Sequence, residues 1–260
     1  MPEDAWDRVQ YERFRDERQQ PFFDLVALVR RQAGLRVVDL GCGTGELTAR
    51  LHRELAAAET LGIDRSAAML DGAATRAAPG LRFREADIAA FRDVACWDLV
   101  FSNAALHWLP DHAELFARLT SALVPGGQLA VQMPDNFDHP SHRVAAEVAT
   151  EPSFRDALGG WLPPAAPVLP PAEYAALLDR LGYCDQHVRL QVYGHRLAAA
   201  DEVVEWVKGS LLTPYRARLA PDVYERFVAR YRERLLAALG NARPYFFTFK
   251  RLLLWGTRPG

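Results

Sequence analysis

Over roughly the first 132 residues, short apolar runs alternate with stretches whose apolar positions recur at helical spacing. Val37 to Leu40 reads as a strand, followed by the helical pair Leu47 and Leu51 four residues apart; Leu61 to Asp64 reads as a second strand. Arg84 to Ile88 reads as a further extended segment, and residues 22–32 as an apolar helix leading into the first strand. Strands alternating with helices predict a parallel sheet with crossover helices. The pattern changes after residue 132, because residues 133–172 carry eight of the 17 prolines and little periodicity, which predicts a loop-rich insertion. Ala172 to Leu181 resumes a helix closed by Gly182, and Val188 to His195 alternates as a sixth strand. Residues 201–239 read as two or three helices, and Phe249 to Gly256 as a last strand.

The expected organisation is one domain over 1–260. It comprises a cofactor-binding core at 1–132, a substrate-side insertion and helix at 133–187, closing strands at 188–195 and 249–256, and a helical lid at 196–245. Open α/β sheets bind ligands at the carboxyl ends of their strands, so the lid is expected over that edge.

The chemistry is concentrated first in Val37-Val38-Asp39-Leu40-Gly41-Cys42-Gly43-Thr44-Gly45, a strand running into a turn with glycine at alternate positions. Without a Cβ, glycine accepts a positive φ and lets a ligand approach the backbone. A dinucleotide fingerprint would need glycine at position 46, where Glu46 instead places an anion beside a would-be pyrophosphate. A cationic, phosphate-free ligand such as S-adenosylmethionine tolerates that acid. About 20 residues on, Asp64 ends the second strand where a ribose diol would be held, and Asp87 is placed to accept from an adenine amino group. Asp39 either organises the turn by hydrogen bonds or touches the ligand.

Composition narrows the field. With 260 residues, half of them hydrophobic, one large α/β domain with a helical appendage fits. A net charge of −2 and no long basic run argue against a nucleic-acid partner. Cys42, Cys96 and Cys184 are odd in number and lack metal spacing, which points to a reducing cytoplasm. The acidic start, and the lack of an apolar run of about 18 residues, predict neither a signal peptide nor a membrane span. His139 and His142 with Asp135 and Asp138 sit in a proline-rich loop without a ligand pattern, and no metal is expected.

With these residues in view, the chain resembles the class I S-adenosylmethionine-dependent methyltransferases, through Asp39-Leu40-Gly41-Cys42-Gly43-Thr44-Gly45, the Asp98 to Trp108 segment and Leu123 to Val131. More narrowly it resembles the bacterial trans-aconitate methyltransferases. That likeness is carried by Trp6-Asp7, Gln10-Tyr11 and Arg13-Phe14, by Ser102 to His112, by Gln132 to Asp138 with Pro140-Ser141-His142, and by Glu205 to Gly209 with Pro214-Tyr215. Phe247-Thr248-Phe249-Lys250-Arg251 departs from the family's F-P-F-R-R by a Thr and a Lys.

The resemblance implies a Rossmann-like seven-stranded sheet with a helical lid inserted between the last strands. It implies S-adenosylmethionine as methyl donor, S-adenosylhomocysteine as product, and a monomethyl ester formed on a small di- or tricarboxylate. Cofactor contacts are expected from Tyr11, Arg18, Gly41, Cys42, Gly43, Asp64, Arg65, Met69, Asp87, Ile88 and Asn103. No catalytic side chain is expected, because a carboxylate is ionised at neutral pH and needs no general base. Orientation and exclusion of water carry the reaction instead. His107, Trp108, Asn136, His142, Arg143, Lys208, Tyr215 and Arg251 are the candidates for positioning the acceptor.

Bland readings stand beside these. Arg143, Arg251 and Lys208 could be solvated surface charges, His107 a hydrogen-bonded loop residue, and Trp108 a packing residue. Tyr11, Phe14 and Arg18 recur at helical spacing, and either close over the methionine end or form an amphipathic helix docked on the core. The alternatives in function are another acceptor, such as a malonyl group on a carrier protein, a phenol or an amine, or a non-catalytic S-adenosylmethionine-binding protein. Partners are expected to be small molecules, with neither nucleic acid nor membrane, for a monomer or homodimer.

Overall fold

A computed structural model describes residues 15–163 and 168–259, with side chains from residue 19 onward. In chain order the elements are α1 (Arg15–Val26), β1 (Arg36–Leu40), α2 (Glu46–Glu54), β2 (Glu59–Asp64), α3 (Ala67–Ala74), β3 (Leu81–Glu85), β4 (Trp97–Asn103), α4 (His112–Ala122) and β5 (Leu123–Pro134). There follow α5 (Pro140–Ala149), α6 (Pro152–Ala157), α7 (Pro171–Arg180), β6 (Asp185–Leu197), α8 (Glu202–Lys208), α9 (Thr213–Arg216), α10 (Pro221–Leu239) and β7 (Tyr245–Thr257). The seven strands form one sheet in the order β3-β2-β1-β4-β5-β7-β6. Strands β1 to β5 pair in parallel, and β7 runs antiparallel to β5. Strand order reverses between β1 and β4, the switch point beside which open α/β sheets bind ligands.

The chain clusters into two compact units. Among the described residues, the sheet unit is built on 19–135, 168–191 and 251–259, and the helical unit on 15–18, 136–163 and 192–250. In the sheet unit, side chains alternate between faces along each strand. Val37, Leu99, Phe101, Ala130, Leu253 and Trp255 join one apolar cluster with Phe22, Leu25 and Val26 of α1. Phe22 meets Phe101 edge-on at 5.5 Å between centroids. In the helical unit, Val144, Val148, Trp206, Tyr215, Phe227, Tyr231 and Phe247 form a second core from α5, α8, α9, α10 and β7.

Several boundaries differ from the sequence expectation. The helix expected at 22–32 occupies Arg15–Val26, and its last turn tightens as Leu28 and Val29 bond three residues back. The segment 133–172, expected to be loop-rich, holds α5, α6 and the start of α7. Pro140, Pro152 and Pro171 each stand in the first helical turn, where the missing N–H has no intrahelical partner to lose. Proline density there marks helix starts. The extended segment expected through Ile88 stops at Glu85, since the Asp87 side chain accepts from Ala89 N at 2.8 Å and caps a short 3-10 turn, Ile88–Ala90. Strands β6 and β7 run beyond 188–195 and 249–256 at both ends.

Candidate active site

The turn after β1 is fixed by backbone bonds before any side chain is considered. Gly41 N and Cys42 N both donate to Ile63 O, at 2.8 and 3.0 Å, which ties the turn to the end of β2. Gly41 has φ +84, and a Cβ there would overlap the Ala105 side chain. Its bare α-carbon is what lets the loop after β4 descend onto the turn. Ala104 holds φ +57, and its N–H donates to Gln132 O at 2.9 Å. An alanine in the left-handed region costs about 1 kcal/mol. Gly43, at φ +53, has nothing within 4 Å of a would-be Cβ, so its backbone faces open space.

Asp64 closes this framework. Its Oδ2 accepts from Gly43 N at 2.9 Å and its Oδ1 from Ser66 N at 3.0 Å. Two main-chain donors hold the carboxylate in one plane and leave acceptor capacity on each oxygen. Ser66 also caps α3 by accepting from Met69 N at 3.3 Å. Arg65 and Asp87 are exposed, while Met69, Ile88 and Cys42 are half-buried. Burial drives the Cys42 thiol upward, so it stays protonated.

Asp39 sits under the turn, 4% exposed, accepting from Thr48 Oγ1 at 2.5 Å. Burial pushes its carboxyl up to about 7; the Thr48 hydroxyl opposes that shift and the Asp64 charge adds to it. Of the two sequence readings for Asp39, its observed bond is the one that organises the turn by joining β1 to α2.

At the carboxyl end of β4, the shielded Oδ1 of Asn103 has no hydrogen-bond partner among the described residues. Next in register on β5 stands Gln132, 1% exposed, whose Nε2 likewise has none. Leaving such a group unsatisfied costs about 1–3 kcal/mol, which a ligand can recover. Gln132 stands in the sequence motif that carries the family likeness but was not among the candidate site residues. The signal was an amide at the end of the otherwise apolar run Leu129 to Met133.

His107 and Trp108 follow on the same loop, ring centroids 4.6 Å apart, with Trp108 43% exposed. Such exposure does not suit Trp108 as a core residue. His112, from the same motif, is buried against the Tyr174 hydroxyl and Leu106 O, and burial lowers its pKa. Arg251 is half-buried on β7, opposite Pro134.

The helical unit holds the remaining candidates. Asn136 is 1% exposed; its Oδ1 accepts from Lys250 N at 3.1 Å, while its Nδ2 has no partner among the described residues. His142 accepts or donates at 3.2 Å with Ser141 Oγ, and burial, aided by His139, lowers its pKa to about 4, so the ring is neutral at physiological pH. Arg143 is exposed. Lys208 is paired with Glu205 at 2.7 Å. Tyr215 is fully buried, stacked on Phe227 at 4.7 Å, with no partner for its hydroxyl among the described residues. Lys250 binds Asp138 at 2.5 Å, and His139 caps α5 through Ser141 N. Among the described residues no group of three or more His, Cys, Asp or Glu side chains could hold a metal. Tyr11 lies outside the described residues, as does the side chain of Arg18.

A turn of bare backbone, a pinned carboxylate and an orphaned amide oxygen at a switch point fit a ligand such as S-adenosylmethionine. Comparison with known proteins points the same way. A methyltransferase-domain family model matches residues 31–158. The trans-aconitate 2-methyltransferase of Deinococcus radiodurans is 46% identical over 260 residues, covering 98% of this chain and 99% of its own. That of Methylobacterium nodulans is 43% identical over 239 residues, 92% of this chain and 90% of its own. Among solved structures, phosphoethanolamine N-methyltransferase 2 of Haemonchus contortus, in complex with S-adenosyl-L-methionine, superposes with a TM-score of 0.56 at 17% identity, over 93% of this chain and 53% of that one. Its likeness concerns the fold alone. By near-full-length identity to such relatives, the chain belongs to the trans-aconitate 2-methyltransferase family.

Proposed function

We propose that the protein transfers a methyl group from S-adenosylmethionine to one carboxylate oxygen of trans-aconitate, giving a monomethyl ester and S-adenosylhomocysteine. The reading is carried by the observation that relatives bearing that activity in their names match the chain end to end. It is supported by the open backbone at Gly43 and the pinned Asp64 carboxylate.

S-adenosylmethionine supplies an electrophilic methyl on a sulfonium. The chain's own part is to bind and orient. Gly41, Cys42 and Gly43 are proposed to carry the methionine portion, Asp64 with Arg65 and Met69 the ribose side, Asp87 and Ile88 the adenine, and Asn103 an N–H donor of the cofactor. Tyr11 and Arg18 remain proposed contacts. The acceptor is already an anion at neutral pH, so no side chain has to remove a proton.

On the sheet unit, His107, Trp108 and Arg251 are the proposed acceptor contacts. On the helical unit Asn136 is the strongest candidate, because its Oδ1 is anchored to Lys250 N and its donor is left over. His142 would act as a neutral hydrogen-bonding group. Arg143 and Tyr215 stay as candidates. Lys208 is a weaker one, since Glu205 already neutralises it. A small-molecule acceptor in the cytoplasm, used by a monomer or homodimer, completes the proposal.

The test is S-adenosylhomocysteine release with a panel of trans-aconitate, cis-aconitate, citrate, isocitrate and a malonyl carrier protein. Turnover concentrated on trans-aconitate is expected. Cofactor binding without turnover on any acid would contradict the reading and favour a phenol, an amine or a sensing role.

A further inference from the structure

Strand β5 carries two buried glutamines on one face, four residues apart, and they are treated differently. Gln128 and Gln132 are each 1% exposed. The Gln128 amide is fully engaged: its Oε1 accepts from Arg30 N at 2.8 Å and Trp255 Nε1 at 3.0 Å, and its Nε2 donates to Arg30 O at 2.9 Å. It is a structural tie in the core. Gln132 has an Nε2 with no partner among the described residues.

Alternation shows where Gln132 lies. Leu99 and Phe101 on β4, Ala130 on β5, and Leu253 and Trp255 on β7 share the cluster under α1. Asn103, Gln132 and Arg251 continue those three series on the same face, at the carboxyl ends of β4 and β5 and in the facing part of β7. Asn103 and Gln132 are register partners, yet the orphaned oxygen of one and the orphaned nitrogen of the other are not bonded to each other. Neighbouring strands thus present one open acceptor and one open donor, and Arg251 stands two residues further along the same face, opposite Pro134.

We propose that Gln132 is a substrate-positioning residue whose side-chain N–H binds a carboxylate oxygen of the anionic methyl acceptor. This rests on the proposed methylation of a small carboxylate and assigns that acceptor a donor from the sheet itself. The polarity sorts the two ligands. An acceptor atom at Asn103 suits the cationic cofactor, and a donor at Gln132 beside Arg251 suits a polyanion.

The test uses the full-length protein and Gln132→Met, which keeps the length and removes the amide. The acceptor KM for trans-aconitate should rise by about 10- to 100-fold, the span of a hydrogen bond to a charged group, while S-adenosylmethionine affinity by calorimetry stays within about twofold. Because the amide nitrogen has no partner to lose, the Tm should hold or rise, whereas a structural role like that of Gln128 would lower it. Gln132→Glu should raise the acceptor KM further by placing an anion there, and it serves as the second variant if Gln132→Met does not fold. Wild-type turnover with an unchanged acceptor KM in the variant overturns this assignment alone. Absence of wild-type turnover on every carboxylate overturns the proposed function, and this assignment with it.

Discussion

The sheet unit and the helical unit carry their polar chemistry in different materials. In the sheet unit the turn after β1 is held through main-chain groups: Gly41 N and Cys42 N on Ile63 O, and Gly43 N on Asp64. In the helical unit they are side chains on separate elements: Asn136 before α5, His142 on α5, Lys208 on α8 and Tyr215 on α9. A backbone site is specified by a few consecutive residues that set φ and leave room. A side-chain site is specified by positions far apart in sequence, each already partly occupied by a structural contact. The first is robust to most side-chain changes and intolerant of an added Cβ, and the second is the reverse.

The largest effect should come from Gly41→Ala. Overlap with Ala105 at a positive φ should cost about 2–5 kcal/mol and abolish cofactor binding, seen as a lowered Tm and silent calorimetry. Gly43→Ala, with open space around it, should cost only about 1 kcal/mol in stability while weakening S-adenosylmethionine binding. Equal Tm losses in the two variants would break the distinction between a packed glycine and one that faces open space.

The pH dependence of stability sharpens the comparison, since Asp39 in the sheet unit and His142 in the helical unit are buried groups whose pKa values shift in opposite directions. Asp39 has a raised folded pKa, so the folded state binds the extra proton; its stabilisation is full below 3.8 and is lost as pH rises to about 7. His142 has a lowered folded pKa, so its contribution is full above 6.5 and is lost as pH falls toward about 4. Each span is on the order of 3 kcal/mol. Relative to Asp39→Asn, the wild type should lose Tm as pH rises through that window. Relative to His142→Asn, it should gain. Parallel curves for wild type and variant would refute the burial argument at that residue.

How much was legible follows the same division. The turn after β1 could be read because the positive φ of Gly41 and Gly43 is local backbone geometry that neighbouring residues determine, and Asp64 closes it from the end of the next strand. The parallel pairing of β1 to β5 followed from strands alternating with helices. The helices at Pro140 and Pro152 could not be read from proline density, since the same residue ends a helix from inside and starts one from its first turn. Asp87 was read as strand because its side-chain cap on Ala89 N competes locally with extension. Gln132 escaped because an amide in an apolar strand is equally a core tie, as Gln128 proves to be, and only the partner inventory separates the two.

Smaller effects separate partnered from unpartnered groups inside the helical unit. Tyr231 OH donates to Ser141 O at 3.1 Å, so Tyr231→Phe should cost about 1–2 kcal/mol in chemical denaturation. Tyr215→Phe should be neutral or stabilising, and an acceptor KM that rises without a fall in Tm would place its hydroxyl on the substrate. Smallest of all, Asp138→Asn removes a pair whose acid is 71% exposed and should shift stability by no more than about 0.5 kcal/mol.

The most direct measurement of the central claim is nuclear magnetic resonance of the product formed from trans-aconitate and S-adenosylmethionine carrying an isotopically labelled methyl group. The account predicts one labelled methyl ester, on a single carboxylate, appearing in step with S-adenosylhomocysteine. A labelled methyl that stays on the cofactor while the protein binds it tightly would contradict the claim that this fold esterifies a small carboxylate.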